Sequence, residues 1–127
     1  MTSARKRILI VDNEPNLLLS LEFLMAQNGY HVQVARTGEE ALESIPAFRP
    51  HLLLLDATLP YRSGFEICHI VRQRKEWHPI RIVMLSTKGR DIDRTKGLAL
   101  GADSYIKKPF STKDLLHTID ELLTNST

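Results

Sequence analysis

The chain has a single cysteine, Cys68, in 127 residues. One cysteine excludes an intramolecular disulfide and fits a reducing compartment. Long apolar runs are missing too. Nothing approaches the ~20 residues of a membrane span, and Ile8–Val11, cut off by Asp12, is too short for the apolar centre of a signal peptide. Neither charge sign dominates: the formal net charge is +2, which does not argue for nucleic acid. Walker-type and dinucleotide-binding glycine loops are absent. The five histidines show no metal-ligand spacing. The default expectation is a cytoplasmic protein. Composition is that of a globular chain, 43% apolar and 25% charged, and the length suits one domain with a full core. The expected domain runs over 5–124, with flexible ends at 1–4 and 125–127.

Hydrophobic patterning gives five strand-then-helix repeats. Ile8–Val11 reads as a buried strand. Pro15 then suits the first turn of a helix, whose stripe is Leu17, Leu18, Leu21, Leu24 and Met25 and whose end is Asn28-Gly29. His31–Ala35 alternates as a half-exposed edge strand would. Thr37-Gly-Glu-Glu40 is a capping box opening a helix that is expected to stop before Pro46. His51–Leu55, nearly all leucine, suits a central strand buried on both faces. A helix through Phe65, Ile67, Cys68, Ile70 and Val71 follows, then a strand at Ile80–Leu85. The fourth helix, about 91–100, has Ile92, Leu98, Ala99 and Leu100 as apolar positions and an internal Gly97. Gly costs roughly 1 kcal/mol against Ala in a helix, so this helix is expected to pack least firmly. Ser104–Lys107 is the last strand. Ser111-Thr-Lys-Asp114 resembles a second capping box, before the stripe Leu115, Leu116, Ile119, Leu122 and Leu123. Strict alternation with short connections implies a doubly wound α/β fold, a five-stranded parallel sheet covered on both faces. The strand order 2-1-3-4-5 is chosen.

Residues just past the carboxyl ends of parallel strands converge on one crevice. Here those residues are Asp12-Asn13, Asp56, Ser86 and Lys108-Pro109. A carboxylate ending a buried central strand needs a partner, so Asp56 is the first candidate. Asp12, Asp56 and the Asn13 amide oxygen could ligate Mg²⁺, which takes oxygen ligands and keeps several waters. The alternative role for Asp12 and Asn13 is capping of the first helix, with Glu14 in its first turn. Lys108 can neutralise a phosphoryl group as a point charge, and a cis Lys108-Pro109 bond would aim it inward. The basic run Arg72–His78 reads as the solvated end of a helix, with Trp77 a loop anchor.

These pieces resemble the receiver domain of bacterial response regulators, the CheY-like (flavodoxin-like) fold. The matching segments are Val11-Asp-Asn-Glu-Pro15, Asp56-Ala-Thr-Leu-Pro60 with Gly64, Val83-Met-Leu-Ser86, and Gly101-Ala-Asp-Ser-Tyr105-Ile-Lys-Lys108-Pro109-Phe110. Together they span about 7–123. The resemblance implies that Asp56 is the phosphoacceptor, fed by a histidine kinase or phosphotransfer protein. It implies Mg²⁺ held by Asp12, Asn13, Asp56 and the Thr58 carbonyl, and phosphoryl oxygens bound by Ser86 and Lys108. Tyr105 matches the switch aromatic that moves with Ser86. Thr58, Thr87 and Lys88 flank the path of the hydrolytic water. Output is implied through the fourth helix, last strand and final helix, to an output domain or target protein, with a phosphorylation-linked homodimer possible in the family. Neither nucleic acid nor membrane is an expected direct partner. No enzymatic activity is implied beyond self-phosphorylation and autodephosphorylation.

Two positions depart from the family pattern. Asn13 stands where the family usually has a second acid, and Thr87 where it often has alanine. Asn13 opens an alternative reading, a pseudo-receiver that binds partners without being switched. A haloacid-dehalogenase-type phosphatase would want an acid where Thr58 stands. A flavodoxin would want a phosphate loop where Asp12-Asn-Glu-Pro15 stands.

Overall fold

Leu52, Leu53, Leu54 and Leu55 are all fully buried, and this run is the middle of the molecule. It forms β3 (Leu52–Asp56). In the computed structural model, which describes residues 5–87 and 89–124, β3 lies between β1 (Arg7–Val11) and β4 (Arg81–Ser86). The outer strands are β2 (His31–Ala35) and β5 (Ser104–Lys107). All pairings are parallel and the order is β2-β1-β3-β4-β5, as the alternation implied. The ends at 1–4 and 125–127, expected to be flexible, lie outside the described residues, as does Lys88.

Side chains alternate across the sheet with the strand period of two. Ile8, Ile10, Leu52, Leu54, Val83 and Leu85 face one side. There they meet Leu18, Leu21 and Met25 of α1 (Pro15–Gln27) and Leu115, Ile119 and Leu123 of α5 (Thr112–Thr124). Leu9, Val11, Leu53, Leu55, Ile82 and Met84 face the other side. There Ala41 and Ile45 of α2 (Gly38–Phe48) and Ile67, Cys68 and Val71 of α3 (Gly64–Gln73) cover them. A 3₁₀ turn at Lys75–Trp77 links α3 to β4, and α4 (Asp91–Ala99) links β4 to β5.

Capping follows the sequence closely. The Thr37 hydroxyl accepts from the Glu40 N–H at 3.1 Å, and the Glu40 carboxylate accepts from the Arg36 N–H at 3.2 Å. Ser111 accepts from the Asp114 N–H at 3.2 Å.

One expectation is corrected. α2 does not stop before Pro46 but runs through it to Phe48. An interior proline loses one backbone bond and crowds the carbonyl four residues back. Here Pro46 lies in the last turn, where buried Ile45 and half-buried Phe48 pack on the core and the Arg49 N–H bonds the Ile45 carbonyl at 2.8 Å. A further finding concerns α4. Ile92 and Leu98 are 69% and 40% exposed, and the buried positions are Asp93 and Gly97. A Cβ at Gly97 would lie 2.9 Å from the Tyr105 ring and 3.3 Å from the Met84 sulfur. Gly97 is therefore the surface by which α4 approaches β5, and not merely a weak helical residue.

Candidate functional site

Backbone hydrogen bonds tie the carboxyl ends of the strands together. The Asp12 N–H bonds the Ala35 carbonyl at 3.1 Å, the Ala57 N–H bonds Leu85 at 2.8 Å, and the Lys108 N–H bonds Ser86 at 2.7 Å. Side chains leaving these ends are thus held on a rigid edge. Asp12 and Asp56 are 1% and 6% exposed. Buried carboxylates need hydrogen bonds or a counter-charge, and both have them. Asp12 Oδ1 accepts from the Glu14 N–H at 2.9 Å, and Asp56 Oδ1 accepts from the Thr58 N–H at 3.2 Å. Lys108 Nζ lies 2.9 Å from Asp12 Oδ2 and 3.6 Å from Asp56 Oδ1. The Lys108–Pro109 bond is cis.

Burial, and then the neighbouring Asp12 charge, push the Asp56 carboxyl above the usual carboxylate range. The Thr58 N–H and the Lys108 ammonium pull the other way without cancelling the rise. One ammonium is shared between two acids, and the second acid feels the shortfall. A cation between them would relieve it. Among the described residues no group of three or more His, Cys, Asp or Glu side chains converges. Two carboxylates with neutral oxygens nearby suit a hard, water-retaining ion such as Mg²⁺ rather than zinc.

The other residues singled out in the sequence fall around this pair. Ser86 ends β4, fully buried, and Tyr105 in β5 is 4% exposed. Thr58, Thr87 and Asn13 are exposed on the same rim. Lys88 lies outside the described residues. Helix capping is assigned differently from the expectation. The residue capping α1 is Glu14, without a side-chain cap, so Glu14 is not in the first turn, and no acidic residue is there. The capping-like bond comes from Asp12, which leaves the Asn13 amide uncommitted to the helix.

Two contributors escaped the sequence reading. Gly64 stands in the matching segments without an assigned role, and a Cβ there would run into the backbone carbonyl of Asp56. Its N–H bonds the Ala57 carbonyl at 2.9 Å, so α3 begins directly against the strand end. Phe65 stacks on Tyr105 with ring centroids 6.5 Å apart, and Lys96 Nζ lies 4.5 Å from the Phe65 centroid. A lone Phe after Gly64 carries no sequence signal for this role. Cys68 stands apart from the site: burial pushes its thiol up to about 11, which makes it inert.

Comparison with known proteins agrees with this geometry. The family model for the response regulator receiver domain matches residues 8–120. The chain is 39% identical over 121 residues to the alkaline phosphatase synthesis transcriptional regulatory protein PhoP of Bacillus subtilis (strain 168), covering 95% of this chain and 50% of that protein. It thus spans about half the length of that curated relative. Among solved structures, a CheY-like response regulator receiver domain protein from Methanospirillum hungatei JF-1 superposes with a TM-score of 0.89 at 32% identity, covering 97% of each chain. The BeF3-activated DrrB receiver domain superposes with a TM-score of 0.86 at 30% identity, covering 96% of this chain and all of that one. Fold, strand-end chemistry and these likenesses agree that the chain belongs to the receiver-domain family of response regulators, the signal-receiving modules of two-component systems.

Proposed function

We propose that this receiver, over residues 5–124, is a phosphorylation switch whose acceptor is Asp56. The observation that carries the reading is the buried Asp12–Lys108–Asp56 group, one ammonium serving two carboxylates. An Asp56 oxygen attacks the phosphorus of a phosphohistidine in line. The new O–P bond forms as the P–N bond breaks, and the electron pair leaves with the donor imidazole. Such transfers need positioning and charge neutralisation more than covalent assistance. Ser86 donates its hydroxyl to one phosphoryl oxygen and Lys108 its ammonium to another. Thr58 and Thr87 on the rim, with Lys88, shape the path of the water that later hydrolyses the acyl phosphate. Tyr105, with Phe65 and Gly97 about it, carries the change of state towards α4.

Receiver domains of this family generally bind Mg²⁺. Asp12, Asp56, the Asn13 amide oxygen and the Thr58 carbonyl are the oxygens to hold it here. When bound it would supply positive charge that offsets the carboxylates and the phosphoryl group. Asn13 contributes no charge, so the site is expected to hold Mg²⁺ more weakly than with an acid at that position.

The family interacts with histidine kinases and output domains. For this chain, itself proposed to be cytoplasmic, we infer a sensor histidine kinase or phosphotransfer protein upstream, and downstream an output domain or target reached through α4, β5 and α5. A phosphorylation-linked homodimer belongs to the same reading, which involves no nucleic acid or membrane contact by this domain. No helix among the described residues is long and apolar enough to cross a membrane. The pseudo-receiver reading has less support, since Asp56, Ser86 and Lys108 are all present. Beyond self-phosphorylation and autodephosphorylation no catalytic activity is proposed.

Intact-mass spectrometry after incubation with acetyl phosphate or phosphoramidate and Mg²⁺ tests the proposal. One phosphoryl group should be gained, and Asp56→Ala should gain none. A folded protein that stays unmodified would sink it.

A further inference from the structure

The amino ends of the strands, opposite the acceptor pole, line a half-open cavity of about 560 Å³. Small-molecule sites span about 300–1,000 Å³. Its apolar floor is Ile45, Ile80 and Leu123, which are 1%, 7% and 5% exposed. Around the floor stand Lys6, Arg7, Arg49 and Arg74, with Glu76 as the one acid. Four cations against one carboxylate give a local charge of +3, more than the +2 of the whole chain. Among the described residues none of the four forms an ion pair, whereas Arg62, Arg72, Arg81 and Arg90 all do.

The cations are arranged by the fold. Arg7 Nε donates to the Arg49 carbonyl at 2.8 Å, with Arg49 in the left-handed region at φ 54°. This bond fixes the Arg7 guanidinium and leaves its two Nη groups without a protein acceptor among the described residues. The Arg7 N–H bonds His51 Nδ1 at 2.9 Å, so Nε2 is left as the other polar atom of a ring that lines the cavity. Burial, and then Arg7 and Lys6, hold the His51 pKa below its usual value. Part of that lowering is the positive charge of Arg7 and Lys6 beside the ring. Also lining the cavity, the Arg74 guanidinium sits 4.7 Å from the centroid of the Trp77 ring. Guanidinium and indole planes are platforms on which nucleobases stack.

We propose that this cavity binds a nucleoside di- or triphosphate, the base against Arg74 and Trp77 and the phosphates among Lys6, Arg7 and Arg49. Inorganic phosphate would use the cations and leave the indole and the apolar floor idle. An uncharged apolar ligand would strip water from four cations without replacing it. A planar base carrying two or more phosphate charges satisfies both halves. The site is separate from the acceptor pole. His51 and Asp56 bracket β3, about 16 Å apart at ~3.3 Å per residue.

Trp77 is the only tryptophan, so its emission reports on this cavity directly. ATP titrated in EDTA, with excitation at the red edge of the indole band, should change the emission with half-saturation below about 1 mM, the affinity of a weak specific site. Calorimetry should give the same midpoint. Lys6→Gln, Arg49→Asn and Arg74→Gln should each weaken ATP by about three- to tenfold, in the range of single charge-assisted contacts. Asparagine tolerates the left-handed backbone at 49, so that variant keeps its fold. Asp56→Asn should bind ATP as the parent does. Pyrophosphate and adenosine should each bind at least about tenfold more weakly than ATP. The proposal is overturned by no response at 5 mM ATP, by pyrophosphate matching ATP (a general anion hole), by a short oligonucleotide outcompeting ATP, or by variants that bind unchanged.

Discussion

The two ends of one parallel sheet treat charge in opposite ways. At the carboxyl end, Asp12 and Asp56 are buried and share Lys108. At the amino end, Lys6, Arg49 and Arg74 are exposed around a cavity and pair with no carboxylate among the described residues. Desolvation explains the difference. A buried ion must be compensated inside the protein, while an exposed one is compensated by water and screened by salt. The two poles should therefore fail differently. Loss of a charge at the acceptor pole disturbs folding and chemistry together, whereas loss at the other pole disturbs only what binds there.

The strongest attempt to break this contrast is Lys108→Met. It removes the cation from two buried carboxylates and should destabilise the fold by about 3–5 kcal/mol in urea unfolding at pH 7. A loss under 1 kcal/mol would mean that water already serves the carboxylates. Asp56→Asn should act in the other direction and raise Tm at neutral pH. The native carboxyl titrates above its ordinary value of 3.8, so the folded state binds its proton more tightly than the unfolded chain does. That advantage is complete below the ordinary value and is lost as the pH rises through the native one. The Asn variant should therefore match the parent in acid and exceed it at pH 7. A pH-independent difference would disprove the assignment. Asn13→Asp adds a third acid to the rim. It should tighten Mg²⁺ by about tenfold in calorimetry, a contribution near 1.4 kcal/mol. Weaker binding by the variant would show that Asn13 is not a ligand. The smallest effect is expected at the other pole. Arg49→Asn should leave unfolding within about 0.5 kcal/mol of the parent, and a larger change would make that cation structural.

Much of the fold was legible because its signals are local. Uniform leucine marked β3, alternation marked β2, and Thr37 with Glu40 marked a helix start. The acceptor residues were legible because a parallel sheet gathers strand ends whatever lies between them. What could not be read depends on contacts between distant segments. Pro46 stays helical only because Ile45 and Phe48 dock on the core. Gly97 looked like a weak point in α4, yet its missing side chain makes room for the Tyr105 ring. Ile92 and Leu98 face outward, because α4 meets β5 through Gly97. The basic run at 72–78 was legible as charge alone. That Trp77 and Arg74 line one cavity with Arg7 and Arg49 depends on the crossovers between β1 and β4 and on no motif.

The pair between Lys108 and Asp12 joins positions 96 residues apart. During synthesis the chain displays Asp12 and Asp56 well before the lysine that serves them is made. The interval from Asp56 to Lys108 is 52 residues, a few seconds at about 5–20 residues per second. Until β5 docks, the two acids lie in water and no receiver pocket exists. A half-made chain is thereby insulated from the signal, and readiness to receive one coincides with completion of the sheet.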